Sequence, residues 1–213
     1  VIHPRYVENI GSVTREGDFA VTTRSRNPLR FEIGILSRSD PGWALRRYLP
    51  VPGDDSARSH ATPRFSPDDR WMAYNSNESG RWEVYVRAYP GAGERTRVSS
   101  GGGYGPIWSR DGRELFYRNG DRFYGVRVTS FSPLTLGAPQ LIFQGPYLDS
   151  GPLAPPDYDV SADGQRFLVV RVSDEERAPR RFHLVQNWFD EVTAKVPGIP
   201  GSGEPGTEER HDR

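Results

Sequence analysis

The sequence predicts an all-β chain, a β-propeller of four-stranded antiparallel blades. Three observations carry this. An acidic turn motif recurs: Phe65-Ser66-Pro67-Asp68-Asp69-Arg70, Trp108-Ser109-Arg110-Asp111-Gly112-Arg113 and Val160-Ser161-Ala162-Asp163-Gly164-Gln165, with a weaker copy at Val13-Thr14-Arg15-Glu16-Gly17-Asp18. The hydroxyl positions 14, 66, 109 and 161 are 52, 43 and 52 residues apart, against roughly 40–50 residues for a blade. Composition agrees, because 23 Gly, 19 Pro and 12% aromatic residues suit a turn-rich β core built from large rings.

The elements follow in order from each motif. A first strand ends at the hydroxyl residue, as in 63–66, 106–109 and 158–161. Asp68, Asp111 and Asp163 then sit where a short carboxylate caps backbone N–H groups, and Gly112 and Gly164 tolerate the positive φ of the turn. Ser66, Ser109 and Ser161 complete the motif. Second strands fall at 19–22, 71–76, 114–118 and 166–171. In 114–118, Leu115 and Tyr117 alternate with Glu114, Phe116 and Arg118, a half-buried pattern. Asn119-Gly120 is a strong hairpin signal, and third strands fall at 31–36, 82–87, 122–128 and 181–185. Fourth strands fall at 44–49, 95–99 and 140–144. The blades are then approximately 1–52, 53–100, 101–145 and 146–196.

Asn187-Trp188-Phe189-Asp190-Glu191-Val192 reads as a short C-terminal helix stopped by Pro197. Residues 197–213 read as a disordered Pro/Gly-rich tail, with nothing to bury against its ordering entropy. Residues 146–156 form a second Pro/Gly-rich loop. A twisted sheet hides both faces only against neighbours. Trp71, Trp82, Trp108, Phe116, Phe123, Tyr124 and Phe167 are therefore the expected inter-blade core. A β-sandwich could use the same strands, but matching turns at blade spacing are not a sandwich requirement.

Lys+Arg and Asp+Glu are both 28, so the chain has no basic footprint for nucleic acid. No apolar run approaches membrane length. There is no Cys, hence neither a disulfide framework nor a thiolate metal site. The start at Val1 leads us to expect upstream domains in a longer polypeptide.

Catalytic signatures are absent. There is no Gly-x-Ser-x-Gly elbow, and the kinase motifs are missing. Gly101-Gly102-Gly103-Tyr104-Gly105 lacks the lysine of a phosphate loop and reads as an inter-blade turn. His3, His60, His183 and His211 show no ligand spacing, so no metal is expected. Asp54-Asp55, Asp68-Asp69 and Asp174-Glu175-Glu176 fall in turns and read as solvated loop charge. No cofactor is called for.

Phe65-Ser66-Pro67-Asp68-Asp69-Arg70 and Trp108-Ser109-Arg110-Asp111-Gly112-Arg113-Glu114-Leu115-Phe116-Tyr117-Arg118 resemble the WD40-like (PD40) repeats of the TolB-like propeller family. Glu83-Val84-Tyr85-Val86-Arg87 and Asn187-Trp188-Phe189-Asp190-Glu191 are similar to one subgroup, found at the C-terminus of bacterial serine/threonine kinases and membrane-tethered transcription regulators. The resemblance implies a ring of six blades, of which four are counted, and an extracytoplasmic setting. It carries no catalytic residue across.

Propellers bind at the axial mouth, at the ends of their innermost strands. Register places His60, Thr62, Tyr104, Gly105, Asp157 and Tyr158 there. The expected function is a non-catalytic binding or scaffolding module, taking a protein, a peptide or a small polar ligand. The alternatives are a propeller that gates or docks a hydrolase domain, and an enzyme acting in the axial channel through Asp157.

Overall fold

In the computed structural model, described over residues 7–26, 29–37, 43–49, 58–91 and 93–171, the elements are all strands. Blade 1 is β1 (Val7–Val13), β2 (Phe19–Arg26), β3 (Leu29–Leu36) and β4 (Leu45–Arg47). Blade 2 is β5 (His60–Phe65), β6 (Trp71–Ser76), β7 (Glu83–Ala88) and β8 (Arg95–Arg97). Blade 3 is β9 (Tyr104–Trp108), β10 (Glu114–Asn119), β11 (Arg122–Phe131), β12 (Leu134–Leu136) and β13 (Gln140–Gln144). Blade 4 enters with β14 (Tyr158–Val160) and β15 (Phe167–Val169). All pairings are antiparallel, and the first two blades order their strands as the chain does. The third strand expected at 181–185, the helix at 187–192, the tail, His3, His183, His211 and the acidic runs at 54–55 and 174–176 lie outside the described residues.

Three motif turns close in one way. The Ser109 hydroxyl donates to Asp111 at 2.7 Å and accepts the Glu114 N–H at 2.9 Å, while Asp111 accepts the Arg113 N–H at 3.0 Å. The Ser109 bond, then the Arg113 bond, hold the Asp111 carboxyl below its usual range. Ser66 with Asp68, and Ser161 with Asp163, repeat the pattern. The weak first copy is one residue tighter. Thr14 Oγ1 accepts from Asp18 N, four residues on, and no acid of the turn caps it.

Burial runs between sheets. Ile33, Ile35, Phe65, Met72, Tyr74 and Tyr85 fill the space between blades 1 and 2. Ala73, Val84 and Val86 meet Trp108, Leu115, Tyr117 and Val126 between blades 2 and 3, with Trp71 and Tyr124 packed alongside. Phe116 and Phe123 meet Tyr158 and Phe167 between blades 3 and 4. Trp82 is only half-buried and belongs to none of these clusters.

Two sequence expectations are corrected. β10 is not half-buried. Leu115 and Tyr117 face blade 2, while Phe116 packs edge-on to Phe167 of blade 4 at 5.2 Å. A strand between two sheets buries both faces, so alternation of apolar residues with Phe116 and Arg118 marked two interfaces rather than an inside and an outside. The third strand of blade 3 also runs past 128 to Phe131 and turns back as β12. That hairpin lays Phe131, Leu134 and Leu136 on the core between blades 2 and 3.

The glycine run is the turn between blades 2 and 3, and a buried carboxylate organises it. Glu83, 2% exposed, accepts the N–H groups of Gly101 at 3.1 Å and Gly102 at 3.0 Å, and the Ser99 hydroxyl at 2.5 Å. Both glycines have positive φ (93° and 111°).

Leu115 has no exposed surface. Leu115→Ala is expected to cost about 2–5 kcal/mol of folding stability, read from urea denaturation midpoints.

Candidate axial binding site

A repeated latch joins each blade to the next. Four residues before the motif serine, Thr62 and Gly105 have positive φ, 51° and 66°, and each precedes a proline. The first strand slips register there, between Ala61 and Arg64 in blade 2 and at the matching place in blade 3. The slip turns a backbone N–H towards the preceding blade. Thr22 Oγ1 accepts it from Thr62 at 3.1 Å, and Asn75 Oδ1 accepts it from Gly105 at 3.0 Å. Asp157 holds the equivalent place in blade 4, and Arg118 holds the equivalent place to Asn75 in blade 3. Here the latch is an ion pair: Arg118 Nη1 donates to Asp157 Oδ1.

Arg118 is 1% exposed, and its charge is fully accommodated. Nε and Nη2 donate to Gly120 O at 3.0 and 2.7 Å, Nη1 also reaches Leu148 O, and the guanidinium carbon lies 4.9 Å from the Phe123 ring centre. Burying a charge costs several kcal/mol unless it is paired and bonded in this way.

The loop after β13 lies across this end of the blades. Asn75 Nδ2 donates to Pro152 O at 2.7 Å and Asn9 Nδ2 to Leu153 O at 3.4 Å. Tyr104 donates to Asp149 at 2.6 Å, and Ser150 N donates to Asp157 Oδ2 at 2.7 Å. Burial, then the Asp149 bond, push the Tyr104 phenol up to about 12, so it remains a donor at neutral pH. Blades 1, 2 and 3 therefore all hold the loop over the N-terminal ends of their first strands.

The six residues expected at an axial mouth are placed at that end in several roles. Thr62, Gly105 and Asp157 are latch residues, and Tyr104 ties down the loop. His60 is 6% exposed and meets the Tyr74 ring edge-on at 5.8 Å. Burial, with Arg95, Arg58 and Arg87 adding positive charge, pushes its imidazole down to about 4, so it is neutral at neutral pH. Of the six residues, Tyr158 alone lines the cavity at the other end of the first strands. The Thr62-Pro63 and Gly105-Pro106 pairs were the available signal, since proline inside a strand marks a bulge.

The cavity opens at the other end of the first strands. It encloses about 570 Å³, within the range of small-ligand sites. All four first strands reach it, two residues before each motif hydroxyl: Ser12, Arg64, Ile107 and Asp159. Trp108 and Tyr158 add aromatic wall, and Arg15 and Arg110 stand at the rim. Trp108 Nε1 donates to Arg64 O at 3.2 Å, and Tyr158 OH to Gly105 O at 2.7 Å, so both rings are fixed across blade boundaries. Sequence register reached these first strands, and the structure places five of its six residues away from this cavity.

Among the described residues, no group of three His, Cys, Asp or Glu side chains could hold a metal ion. No described helix is long and apolar enough to cross a membrane.

Stacked four-stranded sheets around a cavity lined by their first strands define a β-propeller domain. Solved propellers of the TolB-like type share the architecture. TolB from Acinetobacter baumannii superposes with a TM-score of 0.53 at 16% identity, over 76% of this chain and 37% of that one. A TolB-type protein from Agrobacterium tumefaciens gives 0.51 at 17%, over 75% and 57%. A puromycin-hydrolysing peptidase from Mycobacterium tuberculosis gives 0.53 at 17%, over 74% and 27%. The chain thus spans less than two thirds of each of these proteins. No family model matches it, and no curated relative does.

Two outcomes follow from the latch. Arg118→Ala leaves Asp157 buried without its cation and is expected to cost about 3–5 kcal/mol in urea denaturation. His60 is depressed from 6.5 to about 4 in the folded protein, so the unfolded chain binds the extra proton first. Its stabilising contribution is complete above pH 6.5 and is lost as pH falls through about 4, up to about 3 kcal/mol. Melting curves between pH 7 and 4 should show that loss, and His60→Gln should flatten it.

Proposed function

We propose that this propeller is a non-catalytic binding module of a larger bacterial signalling or envelope protein, working outside the cytoplasm. Its ligand is a peptide, a segment of a partner protein or a small polar molecule, and it enters the axial cavity beside Arg64 and Trp108. The observation that supports this most is the convergence of all four first strands on that cavity. A rigid set of strand ends presents mixed polar and aromatic surface there, which suits recognition. Among the described residues the cavity wall offers no nucleophile–base pair of the kind acyl transfer needs. His60 is buried away from it.

A second reading is that the blades dock or gate a hydrolase domain elsewhere in the polypeptide. The structural likeness to the puromycin-hydrolysing peptidase favours it. In both readings the blades bind and do not cleave.

The chain has no Cys, so one introduced thiol is unique. Arg110→Cys places it at the rim of the cavity, and Ser150→Cys places it on the loop at the closed end. Maleimide labelling is measured with and without a pool of synthetic tripeptides. The expected outcome is protection at position 110, none at 150, and no cleavage of the pool by mass spectrometry. Equal labelling with and without the pool would rule out the peptide reading of this cavity, and cleavage would rule out a non-catalytic module.

A further inference from the structure

The axial cavity contains a cation with too few partners. Arg64 points from β5 into the cavity, and its Nη1 donates to Gly11 O at 2.5 Å. Among the described residues its Nε is buried without a hydrogen-bond partner. Arg118, by contrast, makes four hydrogen bonds, one of them to Asp157, and lies over the Phe123 ring. Among the described residues no carboxylate lies in salt-bridge contact with Arg64, although Tyr158 and then Asp159 lie close enough to favour its charge. Arginine cannot shed its proton to escape this cost, and burial already acts against its charge. The group that would relieve it is an anion from outside.

The form of the site narrows that anion. With Nη1 on Gly11 O and Nε buried, Nη2 is the guanidinium nitrogen left to meet an anion oxygen in the cavity, a charge-assisted bond of the kind a carboxylate accepts. Charge points the same way. Arg15, Arg64 and Arg110 line the cavity with Asp69 and Asp159, leaving one net positive charge. Arg15 is committed: its Nη2 donates to Pro67 O at 2.6 Å and its N–H to Asp69 at 2.9 Å. A monoanion balances the set, whereas a phosphate dianion would meet Asp69 and Asp159 with charge to spare. Ile107, Trp108 and Tyr158 supply apolar wall for the atoms beside the carboxylate.

We propose that Arg64 is the anchor for a peptide carboxylate, either a C-terminus or an acidic side chain, bound in the axial cavity. This rests on the axial-binding reading and deepens it by naming the ligand group.

Titration calorimetry on the full chain tests it with four probes: acetyl-Ala-Leu-Phe as the free acid, the same peptide as its amide, acetyl-Ala-Glu-Ala amide, and inorganic phosphate. A free acid that binds about ten- to a hundred-fold more tightly than its amide assigns the C-terminus. Binding of the glutamyl amide instead assigns an acidic side chain. Arg64→Gln is expected to remove the preference and Arg64→Lys to restore part of it, with melting curves confirming that both fold. Asp159→Asn removes the competing carboxylate at an exposed position and should tighten binding of the acid. It keeps the test open should Arg64→Gln fail to fold. Equal affinity for acid and amide, an unchanged preference in Arg64→Gln, or binding of phosphate alone would overturn the carboxylate anchor. If no probe binds while tripeptides still protect position 110, the anchor falls and the axial reading stands. If protection is also missing, both fall.

Discussion

The bond between the second strand of one blade and the start of the first strand of the next sets the geometry on which the rest depends. Hydrophobic contact between sheets is non-directional and would tolerate sliding. A buried hydrogen bond does not, because a slip of one residue leaves a donor unmet, at about 1–3 kcal/mol. Thr22 to Thr62, Asn75 to Gly105 and Arg118 to Asp157 are three chemical versions of one bond at one place in the repeat. Each fixes the rotation of a blade about its neighbour. The same two positions are Ile10 at the start of the described array and Val170 at its end, both apolar and 65% and 53% exposed. The polar latch occurs where both partners are described, and the chemistry changes at each edge.

The fold was legible because its repeat is written in residues with narrow conformational tolerance. Ser109, Asp111 and Gly112 name a turn directly, since the hydroxyl and carboxylate bond the backbone within five residues. Strand positions followed from those turns. Tertiary facts were less visible. Glu83 in a strand looks like surface charge, and only the folded chain brings the Gly101 and Gly102 N–H groups to it. Arg118 ended an alternating run and read as solvent-facing. It is buried because blade 4 and the loop at 148–157 cover it.

The site was legible to the level of the strand and no further. Register shows which residues belong to first strands, but not which end of those strands stays open. That was decided by the Pro/Gly-rich loop at 146–156, whose composition fixes its irregularity but not its path. Its carbonyls at Pro152 and Leu153 meet amides of blades 2 and 1, contacts separated by 77 and 144 residues. No local pattern encodes such contacts. The loop closes one end, and the cavity is left at the other.

The two ends then treat the same residue type in opposite ways. At the closed end the protein surrounds Arg118 with carbonyls, a carboxylate and a ring, so its charge is spent on holding blades 3 and 4 together. At the open end Arg64 receives, among the described residues, one carbonyl, from the neighbouring blade. If Arg64 served only to join blades 1 and 2, a neutral donor would do so without bringing a charge out of water. Ser12 already supplies neutral bonds at the same boundary, accepting from Phe65 N at 2.8 Å and donating to Pro63 O at 3.4 Å. A guanidinium beside a bond that a hydroxyl can make is surplus to the architecture. Its surplus charge faces the cavity that all four first strands share.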